Sequence, residues 1–304
     1  MTQPKTYFSL FAKGFLIGIA GIIPGVSGGT IMFLTGIYQE IIEALYSFDR
    51  AFVKRVLQGN FSGAFANTGW KFLVAVSAGS LFAIFLLLGV FQWLLVHQRI
   101  YLYSFFFGLT VAAVFAISLK IRKGDFAKMA VGMAGAVAMY NLIGMIPIET
   151  PETWWFLFLS GTIAGCAMLL PGVSTAFILV LLGKYVYVAT AVAEFNIGVI
   201  VILLPGLIAG FFAFARLIQW LLNHYHDLTL SFFAGLVVGS LRKIWPWKEL
   251  TDISFTPSGN VFPTMEVNAL PPPDIIAIMS VIVLFLFGAV IGFLFDRKGR
   301  FIKK

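Results

Sequence analysis

The chain reads as an all-α polytopic membrane protein made of two inverted-topology repeats, each a re-entrant helical hairpin plus three transmembrane helices. Three observations lead there: its apolar bulk, its likeness to itself, and the distribution of its positive charge. Of 304 residues, 60 % are hydrophobic and 11 % charged, with mean hydropathy +0.96; a soluble domain carries about 25 % charged residues. The apolar stretches run about twenty residues or more, without the strict alternation of a membrane barrel.

The elements follow in order. Lys5, Lys13 and the apolar run behind them imitate a secretory signal, but no small-residue cleavage site follows, so the run is expected to stay in the mature chain. The first repeat, 1–147, opens with an apolar stretch at 10–45, broken at Pro24-Gly25-Val26-Ser27-Gly28-Gly29, then spans at about 72–96, 100–119 and 127–146. The second, 148–304, opens with an equally broken stretch at 154–190, then spans at about 197–222, 228–244 and 275–295. Basic loops lie at 46–71 (Arg50, Lys54, Arg55) and 120–128 (Lys120, Arg122, Lys123, Lys128), and the longest polar run is 245–274. Trp70, Trp93, Trp154, Trp155, Trp220, Trp245 and Trp247 flank spans and read as interface anchors.

The internal repeat is explicit. Shifted by 147 positions, residues 14–38 coincide with 161–185 at eleven of 25 places, including the block Pro-Gly-Val-Ser and the pairs Gly36/Gly183 and Tyr38/Tyr185. With a shift of 127, QWLL at 92–95 recurs at 219–222, His97 at His224, and SFFFGL at 104–109 as SFFAGL at 231–236.

Positive charge decides how the broken segments sit. If they cross, nine Lys and Arg fall inside and twelve outside; if they enter and leave by one face, sixteen fall inside and five outside. Re-entry is therefore expected, with cytoplasmic termini. Phe11 to Ile23, thirteen residues, gives about 20 Å of helix against a hydrocarbon core of roughly 30 Å, so this leg ends past the midplane. Three crossings per half invert the second half relative to the first, as in secondary transporters.

Irregular backbone at membrane depth must be buried in protein or line a polar cavity. Pro24 ends the first leg and Gly25 permits reversal. Ser27 is then expected to cap the returning helix, with Gly28, Gly29 and Thr30 in its first turn, an anion-binding helix N-terminus. Gly172, Ser174 and Thr175 form the equivalent tip, so two helix ends and the hydroxyls of Ser27, Thr30, Ser174 and Thr175 should meet an anion near the midplane. Arg216 either snorkels to the interface or offers charge on the inner path. Arg242 and Lys243 face outward with Lys184 and Lys248, against the positive-inside trend; capture of an anionic headgroup is one explanation, a misplaced boundary the other. Glu40, Glu43 and Glu194 are interfacial carboxylates or carriers of a coupled proton. His97, His224 and His226 lack metal-ligand spacing, and no cofactor or metal is expected. The charge of +8 suits basic cytoplasmic loops, not nucleic acid. Cys166, alone, excludes a disulfide framework.

GIIPGVSGGTIMFLTGIY near the N-terminus, with LLPGVS about 150 residues later, resembles the PopT family of bacterial polyprenyl-phosphate translocases over nearly the whole chain. The resemblance implies a bacterial cytoplasmic-membrane flippase that returns undecaprenyl phosphate from the outer to the cytoplasmic leaflet for envelope synthesis, including peptidoglycan. It implies motif positions Pro24, Gly25, Ser27, Gly28, Gly29, Thr30, Pro171, Gly172 and Ser174. Thr175-Ala176 departs from the more usual Gly-Ser pair. The expected partners are the lipid and the bilayer; the oligomeric state, a homo-oligomer included, stays open.

Two other readings compete. A carrier of a small soluble anion would need a water-filled vestibule closed to lipid. An undecaprenyl-diphosphate phosphatase-like enzyme would carry arginine after the motif serine, where this chain has Gly28 and Thr175, and would need a base or acidic ligand beside it. No phosphate-binding loop for ATP appears.

Overall fold

A computed structural model of the chain describes residues 7–66, 68–122, 125–148, 150–255 and 261–301; Lys123 of the basic loop lies outside them. The first half contributes α1 (Tyr7–Ile22), α2 (Gly28–Leu34), α3 (Tyr38–Tyr46), α4 (Arg50–Leu57), α5 (Phe61–Ala66), α6 (Trp70–His97), α7 (Arg99–Ser118) and α8 (Phe126–Ile143). The second contributes α9 (Trp154–Ala167), α10 (Thr175–Leu181), α11 (Tyr185–Ala193), α12 (Ile197–His224), α13 (His226–Ser240), β1 (Lys248–Phe255), β2 (Val261–Asn268) and α14 (Ile275–Phe301).

Among the described residues, five helices, α6, α7, α8, α12 and α14, are long and apolar enough to cross a bilayer. α1 and α9, of 16 and 14 residues, reach about 24 and 21 Å and stop short. Each ends ahead of a Pro-Gly pair whose glycine holds positive φ, +91° at Gly25 and +83° at Gly172, the left-handed region open to a residue without Cβ. There the chain turns back.

The expected returning legs are not single helices. α2 and α10 last only seven residues each, because Gly36 and Gly183 take φ of +70° and +63°. Ile37 N–H reaches the Met32 carbonyl and Lys184 N–H the Leu179 carbonyl, the six-residue closure of a glycine C-cap. α11 then leaves α10 at 119°.

Small residues set the spacing of the spans. A Cβ on Gly18 would stand 2.3 Å from the Ser80 carbonyl oxygen, and one on Gly165 2.1 Å from that of Leu207, so α1 lies against α6 as α9 does against α12. Gly108 meets Phe285 of α14 and Gly235 meets Gly132 of α8 in the same way. α7 and α13 form the buried centre.

Two expectations need correction. The span expected at 228–244 ends as a helix at Ser240, fifteen residues from its start, and continues as turns through Ile244. The polar run 245–274 contains an antiparallel hairpin pairing Lys248 with Asn268 and Leu250 with Glu266; its strands lack the apolar alternation that marks a half-buried sheet.

Candidate anion-binding site

The two Pro-Gly tips touch; carbonyls freed by the second are satisfied from the first half, and the one freed at Pro24 by α7 of its own half. Ser27 Oγ donates to the Leu170 carbonyl at 2.9 Å, the Tyr38 hydroxyl to the Leu169 carbonyl at 2.9 Å, and the Tyr103 hydroxyl to the Pro24 carbonyl at 3.2 Å. Gly172 N–H donates to Thr30 Oγ1 at 3.1 Å. In the absence of water, these bonds are what make a broken helix tolerable at this depth.

This corrects the expected cap at Ser27. Ser27 sits at the N-cap of α2, but its side chain makes no cap bond; its hydroxyl is turned to the other tip, where it donates to the Leu170 carbonyl. Gly29 is buried where a Cβ would come within 3.1 Å of the Leu170 oxygen and Pro171 nitrogen, and Gly28 packs on Ile17. The bareness of Gly29 serves the contact between tips, and that of Gly28 the packing on α1. Ser174 is buried, Thr175 half-buried, and neither lines the cavity described next.

Beside the first tip lies a cavity of about 300 Å³, with Pro24 and Gly25 on its wall. Four cations line it: Arg99 from the start of α7, Arg242 and Lys243 from the turn after α13, and Lys248 from β1. One carboxylate, Glu266 from β2, faces them. Much of the remaining lining is apolar, with Leu95, Ile143, Phe177, Val180 and Leu181.

Each cation is held differently. Arg99 donates to Glu266 Oε1 at 2.6 Å and lies over the Tyr103 ring. Lys243 Nζ stands 3.8 Å from Glu266 Oε2, and its stem covers Gly25, where a Cβ would lie 2.6 Å from Lys243 Cγ. Arg242 donates to the Tyr140 carbonyl at 2.8 Å and stacks over that ring at 4.2 Å. Lys248 donates to the Arg242 carbonyl at 2.8 Å and to Asn268. Burial, then the neighbouring Lys243 charge, pushes the Lys248 ammonium down to about 8. Burial also lowers Lys243, partly offset by Glu266. With four cations against one carboxylate in a half-enclosed space, an added anion relieves repulsion and gains charge-assisted hydrogen bonds.

Of the expected site residues, the fold brings Gly25 and Arg242 to this cavity. Arg216 is elsewhere: it donates to the Phe48 carbonyl at 2.9 Å and lines a separate hollow with Tyr46, Asp49 and Arg50. Lys184 is only 2 % exposed, donates to the Thr150 carbonyl and lies against Phe156 and Tyr187. Sequence reasoning passed over Arg99 and Glu266. Arg99 carried a signal, being one of the five Lys and Arg counted on the outer side; Glu266 carried none, since the β-hairpin that delivers it was not foreseen.

The fold and this cavity define a helical membrane protein with an amphipathic, cation-lined cavity. Residues 17–262 match the model of the VCA0040-like family, described as undecaprenyl phosphate translocase-like, and the chain belongs to that family. It is 37 % identical over 269 residues to the polyprenyl-phosphate transporter of Vibrio cholerae serotype O1, covering 88 % of this chain and 87 % of that one. It is 31 % identical over 255 residues to the polyprenyl-phosphate transporter of Staphylococcus aureus, covering 77 % and 84 %. No solved structure gave a significant match.

Proposed function

We propose that this chain transports polyprenyl phosphate, taking undecaprenyl phosphate from the outer leaflet and returning it to the cytoplasmic leaflet. The observation that carries the reading is the cavity, which sets four cations against an apolar wall. Arg242, Arg99, Lys243 and Lys248 hold the phosphate beside the Gly25 turn, and the apolar wall receives the first isoprene units. The two halves act as inverted repeats that meet at the Pro-Gly tips. The relatives named as polyprenyl-phosphate transporters support the substrate class and argue against a phosphatase.

Arg242 is the test. In detergent, Arg242→Ala should weaken binding of a short-chain polyprenyl phosphate about tenfold to a hundredfold, the loss of a hydrogen bond to a charged group. Titration calorimetry reads this directly. Inorganic phosphate should bind far more weakly than the lipid, having nothing for the apolar wall. Equal affinity for the two would favour a small soluble-anion carrier, and an unaffected Arg242→Ala would remove the cavity as the site.

A further inference from the structure

The cavity has a counterpart at the opposite end of the molecule. There Phe33, Tyr38, Lys120, Leu222, His226 and Leu230 line a crevice of only about 30 Å³. The hairpin offset of 147 carries Phe33 onto Val180 and Tyr38 onto Tyr185. The span offset of 127 relates Leu222, His226 and Leu230 to Leu95, Arg99 and Tyr103. These five positions line the large cavity, whereas Gly183 and Val186, the counterparts of Gly36 and Gln39 in the crevice, do not. Equivalent residues thus surround 300 Å³ at one end and 30 Å³ at the other.

The means of closure is visible. The Phe33 ring stacks on Tyr38 at 3.9 Å, Lys120 Nζ lies 5.2 Å from the Phe33 centroid, and the Tyr38 hydroxyl is tied to Leu169. α2 packs on α7 and α14, whereas its counterpart α10 packs chiefly on α9 and α11 of its own hairpin. The space that α10 leaves beside α13 and the end of α8 is the open cavity.

We propose that the crevice is a second site for the phosphate of a lipid monophosphate, which opens as the cavity around Arg242 closes. Lys120 and His226 receive the phosphate there, and Phe33 and Tyr38 are the stacked pair that must part. Lys120 and His226 are both exposed, and Asp227 Oδ1 lies 3.0 Å from His226 Nδ1, fixing the ring. The inference rests on the transport reading above and deepens it with a release site.

The test uses full-length protein with Cys166→Ser, reconstituted in vesicles, carrying either Leu230→Cys in the crevice or Leu95→Cys in the cavity. An impermeant methanethiosulfonate reagent is added to both membrane faces, with and without undecaprenyl phosphate. Leu230 is buried, so its cysteine should label slowly alone and about tenfold faster with the lipid, a shift in the population of the opened state. The Leu95 cysteine should become protected. Separately, Lys120→Ala combined with His226→Ala should slow transport about tenfold, as losing a charge-assisted hydrogen bond does. Protection of the Leu95 cysteine with no change at Leu230 overturns the second site and leaves the cavity standing. Full transport by the double variant overturns it too. No response at either cysteine, with no transport by the parent protein, sinks both readings together.

Discussion

Arg242 shows how a single cation is kept available at the cavity. Its guanidinium is occupied by a carbonyl and a ring face, both from Tyr140, neither of which neutralises charge. Gly144 makes room for it: a Cβ there would stand 2.5 Å from Arg242 Nη1. Gly144→Val should therefore push the guanidinium aside and weaken lipid-phosphate binding while the helices stay intact, checked by calorimetry beside circular dichroism. Lys248 adds a pH dependence whose sign is fixed. Its ammonium is charged below about 8 and neutral above, so affinity for an anion falls as pH rises through that value. Below about pH 6 a phosphate monoester takes up its second proton and loses charge. Binding should peak between those limits, and Lys248→Arg, which stays charged, should carry the alkaline limb upward. If that limb does not move, Lys248 is not the titrating group.

At the scale of elements, the two Pro-Gly tips and the β1–β2 hairpin have separate tasks. The first tip bonds backbone that the second frees, and Ser27→Ala leaves the Leu170 carbonyl with the Val173 N–H alone, at 3.3 Å. The expected cost is about 0.5–1.5 kcal/mol, that of one hydrogen bond, read as a lowered thermal midpoint in detergent. Lost lipid-phosphate affinity at unchanged stability would instead return Ser27 to the ligand. The hairpin brings Glu266, 7 % exposed at its side chain, between Arg99 and Lys243, the place an anion would take. Glu266→Gln removes a competing charge and should tighten binding severalfold, most at low ionic strength. Weaker binding would show that the carboxylate organises the cations and does not rival the ligand.

The whole molecule joins parts that the sequence exposed unequally. The motif at 24–27 and its copy at 171–174 marked where the chain turns, since Pro and Gly dictate that locally. The contact of one tip with the other is long-range, and it redirected Ser27 and Thr30 from an expected ligand to backbone carbonyls and amides. The returning legs were overestimated although Gly36 and Gly183 were aligned, because a lone glycine in an apolar run is compatible with both a helix and its C-cap. The charge count was the most informative guide: four of the five outer cations, Arg99, Arg242, Lys243 and Lys248, converge on one cavity. That convergence yields a prediction about sidedness. The cavity lies at the end of the molecule that carries Arg242 and Val267, and Phe126 begins the helix that ends there, so it lies at the opposite face. By the positive-inside rule the cavity is expected to lie outside. In intact cells lacking Cys166, an impermeant maleimide should therefore label Val267→Cys and leave Phe126→Cys untouched, both positions being exposed. The reverse pattern would put the open cavity on the cytoplasmic face, where it would load lipid for export, and recovery from the outer leaflet would have to be abandoned.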